Sequence, residues 1–142
     1  MTSIFSRIIA GELPGRFVWR DDVCVAFLSI APLRPGHTLV VPIEEVDHWI
    51  DLDTATAAHL MEVARAVGRA QHDAFHPARV GLIIAGMEVP HCHLHVVPID
   101  AEADLHFANA NSSVPPEELD AAAEALRDAI GSAGNAGQPP TI

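Results

Sequence analysis

The sequence predicts an α+β fold on an antiparallel sheet, and three observations carry that expectation. Apolar segments of strand length follow one another as hairpin-like neighbours instead of alternating with long helices. Only two segments hold the helical apolar period over several turns. The most distinctive segment, His91-Cys92-His93-Leu94-His95, alternates imidazole with a buried-type side chain, as a strand with one core face does.

The elements follow in order. Ile4, Phe5, Ile8 and Ile9 share one face of a short helix over 4–10, which Gly11 and Pro14 stop. Phe17 to Trp19 and Val23 to Leu28 read as strands joined by an Arg20-Asp21-Asp22 turn. The prolines and glycine of 30–36 make a loop, and His37 to Pro42 is a buried strand. Asp47 to Leu52 is a connection. Asp53 or Thr54 caps a helix that runs to Phe75 with Leu60, Ala64 and Val67 on one face, and Pro77 ends it. Val80 to Ala85 is a strand, Gly86 to Pro90 a turn, and Cys92 to Ile99 the last strand. A polar, weakly periodic stretch over 105–116 leads to a helix that starts at Pro115 or Pro116 and runs through Ile130, with Glu117, Glu118 and Asp120 in its first turn. One domain over 1–131 is expected, followed by a Gly/Pro/Ala-rich tail over 132–142 that reads as disordered.

Composition narrows the function. The chain has 142 residues, 49% of them hydrophobic and 19% charged, with a net charge of −11 carried against eight arginines and no lysine. Such a chain has little with which to neutralise a polynucleotide backbone, so no nucleic-acid partner is expected. No stretch approaches the roughly 20 apolar residues of a membrane span, and the N-terminus lacks the apolar run of an export signal. Cys24 and Cys92 are too few and too far apart for a disulfide framework, which points to a reduced, cytoplasmic setting.

On one strand His91, His93 and His95 project together, with the apolar side in the core and the imidazole side at a cleft. A metal site is one use of such a set. However, the α-carbons of His91 and His95 would lie about 13 Å apart at roughly 3.3 Å per residue, too far for both to reach one tetrahedral ion. A metal would need an adjacent pair plus His37 or Glu88. Nucleophilic catalysis at phosphorus is the other use: a neutral imidazole attacks and its neighbours donate hydrogen bonds to phosphoryl oxygens. His93, flanked on both sides, is the natural attacker.

The segment His91-Cys92-His93-Leu94-His95-Val96-Val97 resembles the His-φ-His-φ-His-φ-φ signature of the histidine triad (HIT) proteins, nucleotide hydrolases and transferases. "SIFSRIIAGELPG" and "WRDDVCVAFLSIAPLRPGHTLVVP" resemble the segments that precede it in that family, so the likeness spans Ile4 to Pro98. It implies a five-stranded antiparallel sheet with two main helices, paired with a second copy into a ten-stranded sheet. It also implies attack by His93 on the α-phosphate of a nucleoside phosphoramidate or similar conjugate, through a nucleotidyl-histidine intermediate. His91 and His95 would hold the phosphate, and His37 would approach from the adjacent strand. Phe5, Ile8, Phe27 and Ile30 fall where the family lines a purine pocket, and Ser29, Glu88 and Val89 fall beside the ribose and phosphate. No cofactor is expected.

The likeness has gaps. The Gly-rich phosphate loop is reduced to Ala85-Gly86-Met87-Glu88-Val89-Pro90, and Glu88 replaces a neutral hydrogen-bond donor. Ser29 replaces the acidic ribose ligand. Ser3 and Ser6 replace the cysteines of zinc-containing members, which argues against a structural zinc. A HIT-fold binder with little turnover and a metal site on triad pairs stand as the alternatives.

Overall fold

The computed structural model describes residues 2–132, so the tail expected over 132–142 lies outside the described residues except for its first position. Helix α1 (Ile4–Ile9) is capped by Ser3, whose hydroxyl accepts the Ser6 N–H at 3.0 Å. Strands β1 (Phe17–Arg20) and β2 (Cys24–Leu28) form a hairpin, followed by β3 (Thr38–Pro42). Helix α2 (Thr54–Phe75) starts at Asp53, whose carboxylate accepts the Thr56 N–H, and ends on left-handed His76 ahead of Pro77. Strands β4 (Arg79–Ile83) and β5 (Leu94–Ile99) complete the sheet, and α3 (Pro116–Ser132) is the last element among the described residues.

The five strands are all antiparallel, in the order β1-β2-β3-β5-β4. The elements expected from the sequence are present, with shifted ends. The β1–β2 turn is tightened by Asp21, whose Oδ1 accepts the N–H groups of Val23 and Cys24, so β1 keeps Arg20 and β2 begins at Cys24. Strand β5 begins at Leu94 rather than Cys92 because the β3–β5 pairing ends at Val40 opposite Leu94. The stretch over 105–116 folds partly as 3-10 turns, at Glu102–Leu105 and Phe107–Asn109.

Alternation along the strands divides the molecule into two faces. On one, Val18, Cys24, Ala26, Val40, Leu94 and Val96 pack against Leu60, Val63 and Val67 of α2 and Ala123, Leu126 and Ile130 of α3. On the other, Val25, Phe27, Leu39 and Val41 pack under α1 through Phe5. The helix face holds most of the buried apolar surface. The opposite face is only partly roofed, and His37, His93 and His95 lie on it. Among the described residues no helix is long and apolar enough to cross a membrane.

A buried polar side chain of the helix layer bonds to backbone that carries the other face. Gln71, at an apolar position of α2 and fully buried, donates from Nε2 to the carbonyls of Gly36 at 2.9 Å and Val96 at 2.8 Å. These carbonyls flank His37 and His95 in sequence, so α2 sets the separation of two site residues from behind the sheet.

Candidate active site

The site is a cavity of about 210 Å3 lined by Ser29, Ala31 and Leu33 from the proline-rich loop, His37, His93 and His95, the Ala85–Glu88 loop, and Phe107 and Ala110. Its four sides come from four separate segments. His95 comes from β5, His37 and His93 come from the residues just before β3 and β5, and the loops supply the walls.

The hydrogen bonds assign the ring nitrogens. Leu33 N–H donates to His37 Nδ1 at 3.0 Å, so the proton of neutral His37 sits on Nε2. That nitrogen lies 3.0 Å from His95 Nδ1 and donates to it, which leaves His95 with an Nε2–H and no other proton. Burial holds both rings neutral, pushing His37 from 6.5 down to about 3 and His95 down to about 4; each is lowered further by neighbouring imidazoles. A single backbone N–H therefore sets the tautomers of two histidines in turn.

His93 is set differently. Its Nδ1–H donates to the carbonyl of His91 at 2.8 Å, which leaves the Nε2 lone pair free. Burial lowers its basicity, and the backbone bond to His91 and the charge of Glu88 act in the opposite direction. The Phe5 ring meets it edge-on with centroids 4.9 Å apart, and the His95 ring meets it at 4.8 Å. The result is an unprotonated nitrogen on a ring packed from two sides.

His91 differs from the expectation of a phosphate contact. It is fully buried, with Nδ1 2.6 Å from the Ser3 hydroxyl and Nε2 2.7 Å from the carbonyl of Pro42. Both nitrogens are used, so its ring reaches neither cleft nor ligand. The face of the three alternating positions is also not one open face: His91 and His93 precede β5, and only His95 lies within it.

The remaining expected residues are distributed. Ser29 and Glu88 line the cavity, and Ser29 Oγ also accepts the Ala31 N–H at 3.2 Å. Phe5 and Phe27 are buried and pack edge-on against each other, with Ile8 and Val89 partly buried against the same cluster. Ile30 is 74% exposed. The sequence reasoning missed Phe107, whose ring lies 5.2 Å from that of His95, and Gln71. Gln71 left a signal, because it is a polar residue four positions after Val67 on the apolar stripe of α2. Phe107 left none, since its segment has no regular period.

For the metal alternative, the nitrogens of His91 and the Nδ1 atoms of His37, His93 and His95 are committed, which leaves the His93 Nε2 lone pair and the Glu88 carboxylate as the uncommitted donors of the set it would use. Among the described residues, Asp21, Cys24 and His59 bring ligand atoms close enough for one ion, away from the triad. There Asp21 already accepts from Trp19 Nε1, His59 Nε2 and two backbone N–H groups.

The profile of the HIT domain matches residues 10–102. The chain belongs to the HIT family. An uncharacterised HIT-like protein of Borreliella burgdorferi is 36% identical over 115 residues, covering 76% of this chain and 83% of that protein. An adenosine 5'-monophosphoramidase of Schizosaccharomyces pombe is 28% identical over 136 residues, covering 92% of this chain and 99% of that protein. Among solved structures, a zinc-bound histidine triad family protein from Mycobacterium smegmatis superposes with a TM-score of 0.81 at 27% identity, covering 94% of this chain and 96% of its own. The HIT chain described here does not fit a structural zinc at its N-terminus. Ser3 and Ser6 present hydroxyls rather than thiolates, and both are spent on hydrogen bonds to protein groups.

Proposed function

We propose that this HIT protein hydrolyses a nucleoside phosphoramidate or a closely related nucleoside monophosphate conjugate through a nucleotidyl-histidine intermediate on His93. The observation that carries the reading is the tautomer of His93: with Nδ1–H held by the His91 carbonyl, the Nε2 lone pair is free at neutral pH. That nitrogen would form a bond to the α-phosphorus while the bond to the leaving nitrogen breaks. The electron pair departs with the leaving nitrogen, which takes up a proton to become the amine. Water then attacks phosphorus, breaks the histidine–phosphorus bond and releases the nucleoside monophosphate. His95 Nε2–H, aligned by His37, supplies a hydrogen bond to a phosphoryl oxygen or the leaving atom.

The walls support a leaving group without further phosphates. The cavity contains Glu88 and no arginine, so the negative charge of a polyphosphate chain would meet a carboxylate and no cation. On this reading Ser29, which lines the cavity, would hold a ribose hydroxyl, and Ile8, Ile30 and Val89 would take the base. A second copy of the chain along the open edge of β4 accords with the exposed Leu82 there and the half-exposed Met61 on α2. Sedimentation analysis of the full chain tests that pairing.

Hydrolysis of adenosine 5'-phosphoramidate by the wild type, its loss in His93→Ala, and an unchanged circular dichroism spectrum are the expected results. Turnover retained in His93→Ala would exclude the mechanism. Tight nucleotide binding with no turnover in the wild type would favour a binding protein, the reading that Glu88 and the short loop also accommodate.

A further inference from the structure

The nucleophile stands just outside the regular sheet. The β3–β5 pairing ends at Val40 opposite Leu94, one residue after His93. Beyond that point proline at position 42 has no N–H to offer, and its carbonyl is taken by the ring Nε2–H of His91 instead of by a backbone donor. A side chain thus continues the connection where the ladder stops.

That side chain is itself held by a directed chain of donors. Glu45, in the segment after β3, accepts through Oε1 from the Ser3 N–H at 2.7 Å and from the Ser6 hydroxyl at 2.8 Å. These bonds, led by the one from the Ser3 N–H, hold the Glu45 carboxyl below the usual range. Ser6 donates its hydroxyl hydrogen bond to Glu45, and its N–H donates to Ser3 Oγ at 3.0 Å. The Ser3 hydroxyl proton is then directed at His91 Nδ1, 2.6 Å away. This places the His91 proton on Nε2, where Pro42 requires it, and the neighbouring Cys92 N–H is tied to the carbonyl of Val46 at 2.7 Å. The Ser3 and Ser6 hydroxyls also lie 3.3 Å apart, and Ser6 Oγ lies 3.4 Å from His91 Nδ1, but the bonds at 2.6 and 2.8 Å are the shorter ones and set the direction of the series.

We propose that Ser3, Ser6 and Glu45 are positioning residues for the nucleophile, a hydrogen-bonded clasp that fixes the His91 ring and, through the His91 carbonyl, aims His93. The proposal rests on the reading of His93 as the attacking group. Its physical content is that a bond 2.8 Å long from His93 Nδ1 to the His91 carbonyl is only as well placed as the residue that carries the carbonyl. The β3–β5 ladder stops short of His91, whose N–H bonds the carbonyl of Val89 and whose ring is held between the Pro42 carbonyl at the end of β3 and the clasp. The clasp also joins the start of α1 to the segment after β3, so Phe5 is brought against His93 by the same bonds.

The test uses the full chain with Ser3→Ala, Ser6→Ala, Glu45→Ala and Glu45→Gln. Ring nitrogen chemical shifts of His91 and His93 are recorded in the free protein, and kcat and KM are measured for adenosine 5'-phosphoramidate. In Ser3→Ala and Glu45→Ala, His93 should lose its single Nδ1–H tautomer, and kcat should fall about tenfold with KM within about twofold, as for a misaligned attacking group. Glu45→Gln keeps an oxygen that accepts the same two bonds and should retain wild-type values. If Ser3→Ala does not fold because its cap is gone, Ser6→Ala and Glu45→Ala decide, since both leave the cap in place. An unchanged His93 tautomer and unchanged kcat in Glu45→Ala would overturn the proposal. A wild type that does not turn over would count against the reading of function alone, and the ring shifts would still decide on the clasp.

Discussion

Lowering the pH from 8 to 5 should destabilise the fold by about 3 kcal/mol, chiefly through the His37–His95 pair. The folded state holds His37 at about 3 and His95 at about 4, against 6.5 for a free imidazole, mainly because both are buried. Above pH 6.5 both rings are neutral whether the chain is folded or not, and they contribute no difference. Below it the unfolded chain takes up protons that the folded chain refuses, so stability falls as the pH drops toward the two folded values. At pH 5 His37, only 2% exposed, costs about 2 kcal/mol. His95, partly open to the cavity, costs about 1 kcal/mol after allowance for solvent. His93 is lowered in the same direction and adds to the effect. Asp21, held at about 2, loses its contribution only as the pH falls below 3.8, outside this window. Urea denaturation at pH 8, 7, 6 and 5 should show a falling midpoint at constant slope. In His37→Ala the difference between pH 8 and pH 5 should shrink by about 2 kcal/mol. Equal midpoints at pH 8 and 5 would refute a neutral, buried pair.

Turnover should stay level as the pH falls from 8 past 6.5 and should decline only lower down, because burial depresses the basicity of His93; a pH profile of kcat/KM measures this. Glu88→Gln removes the one charge that raises His93, so the acid limb should move to lower pH, and a nucleoside monophosphate should bind more tightly by titration calorimetry. Gly36→Ala should cost at least about 1 kcal/mol, because Gly36 sits at φ +91° and an added Cβ would lie 2.5 Å from the Phe75 ring; a thermal melt reads the loss. Leu126→Ala, a truncation in the helix-side core, should cost about 2–5 kcal/mol while leaving KM unchanged, measured by denaturation and steady-state kinetics.

Much of this was legible in the sequence, for reasons specific to each element. The caps and stops of α2 were visible because Asp53 and Pro77 act locally. The strands were visible through their apolar runs, but their ends were not, since those depend on where a partner strand runs out: His91 and His93 lie beyond the last pair of β3 and β5. For the same reason the alternation at 91, 93 and 95 suggested three imidazoles side by side on one cleft-facing strand. In the structure one is spent in the interior, one is left with a free lone pair, and one is aligned by His37. The role of Leu33 was out of reach, because its contribution is a backbone N–H and carries no residue signature. Glu45 carries no signal of its own in a chain of net charge −11, and only its approach to Ser3 and Ser6 gives it a role.

The two faces of the sheet have a consequence for how such a chain can change. Along β5, odd positions 95 and 97 look toward the cavity side, and even positions 94 and 96 look into the helix layer. Stability and chemistry are thus written on one strand in alternating letters. Single substitutions can revise either text without touching the other. A one-residue insertion just before Leu94 would exchange them, sending imidazole into the apolar layer and leucine into the cleft. Point mutation is therefore an open route to new substrates for this scaffold, and a change of length at that place is a closed one.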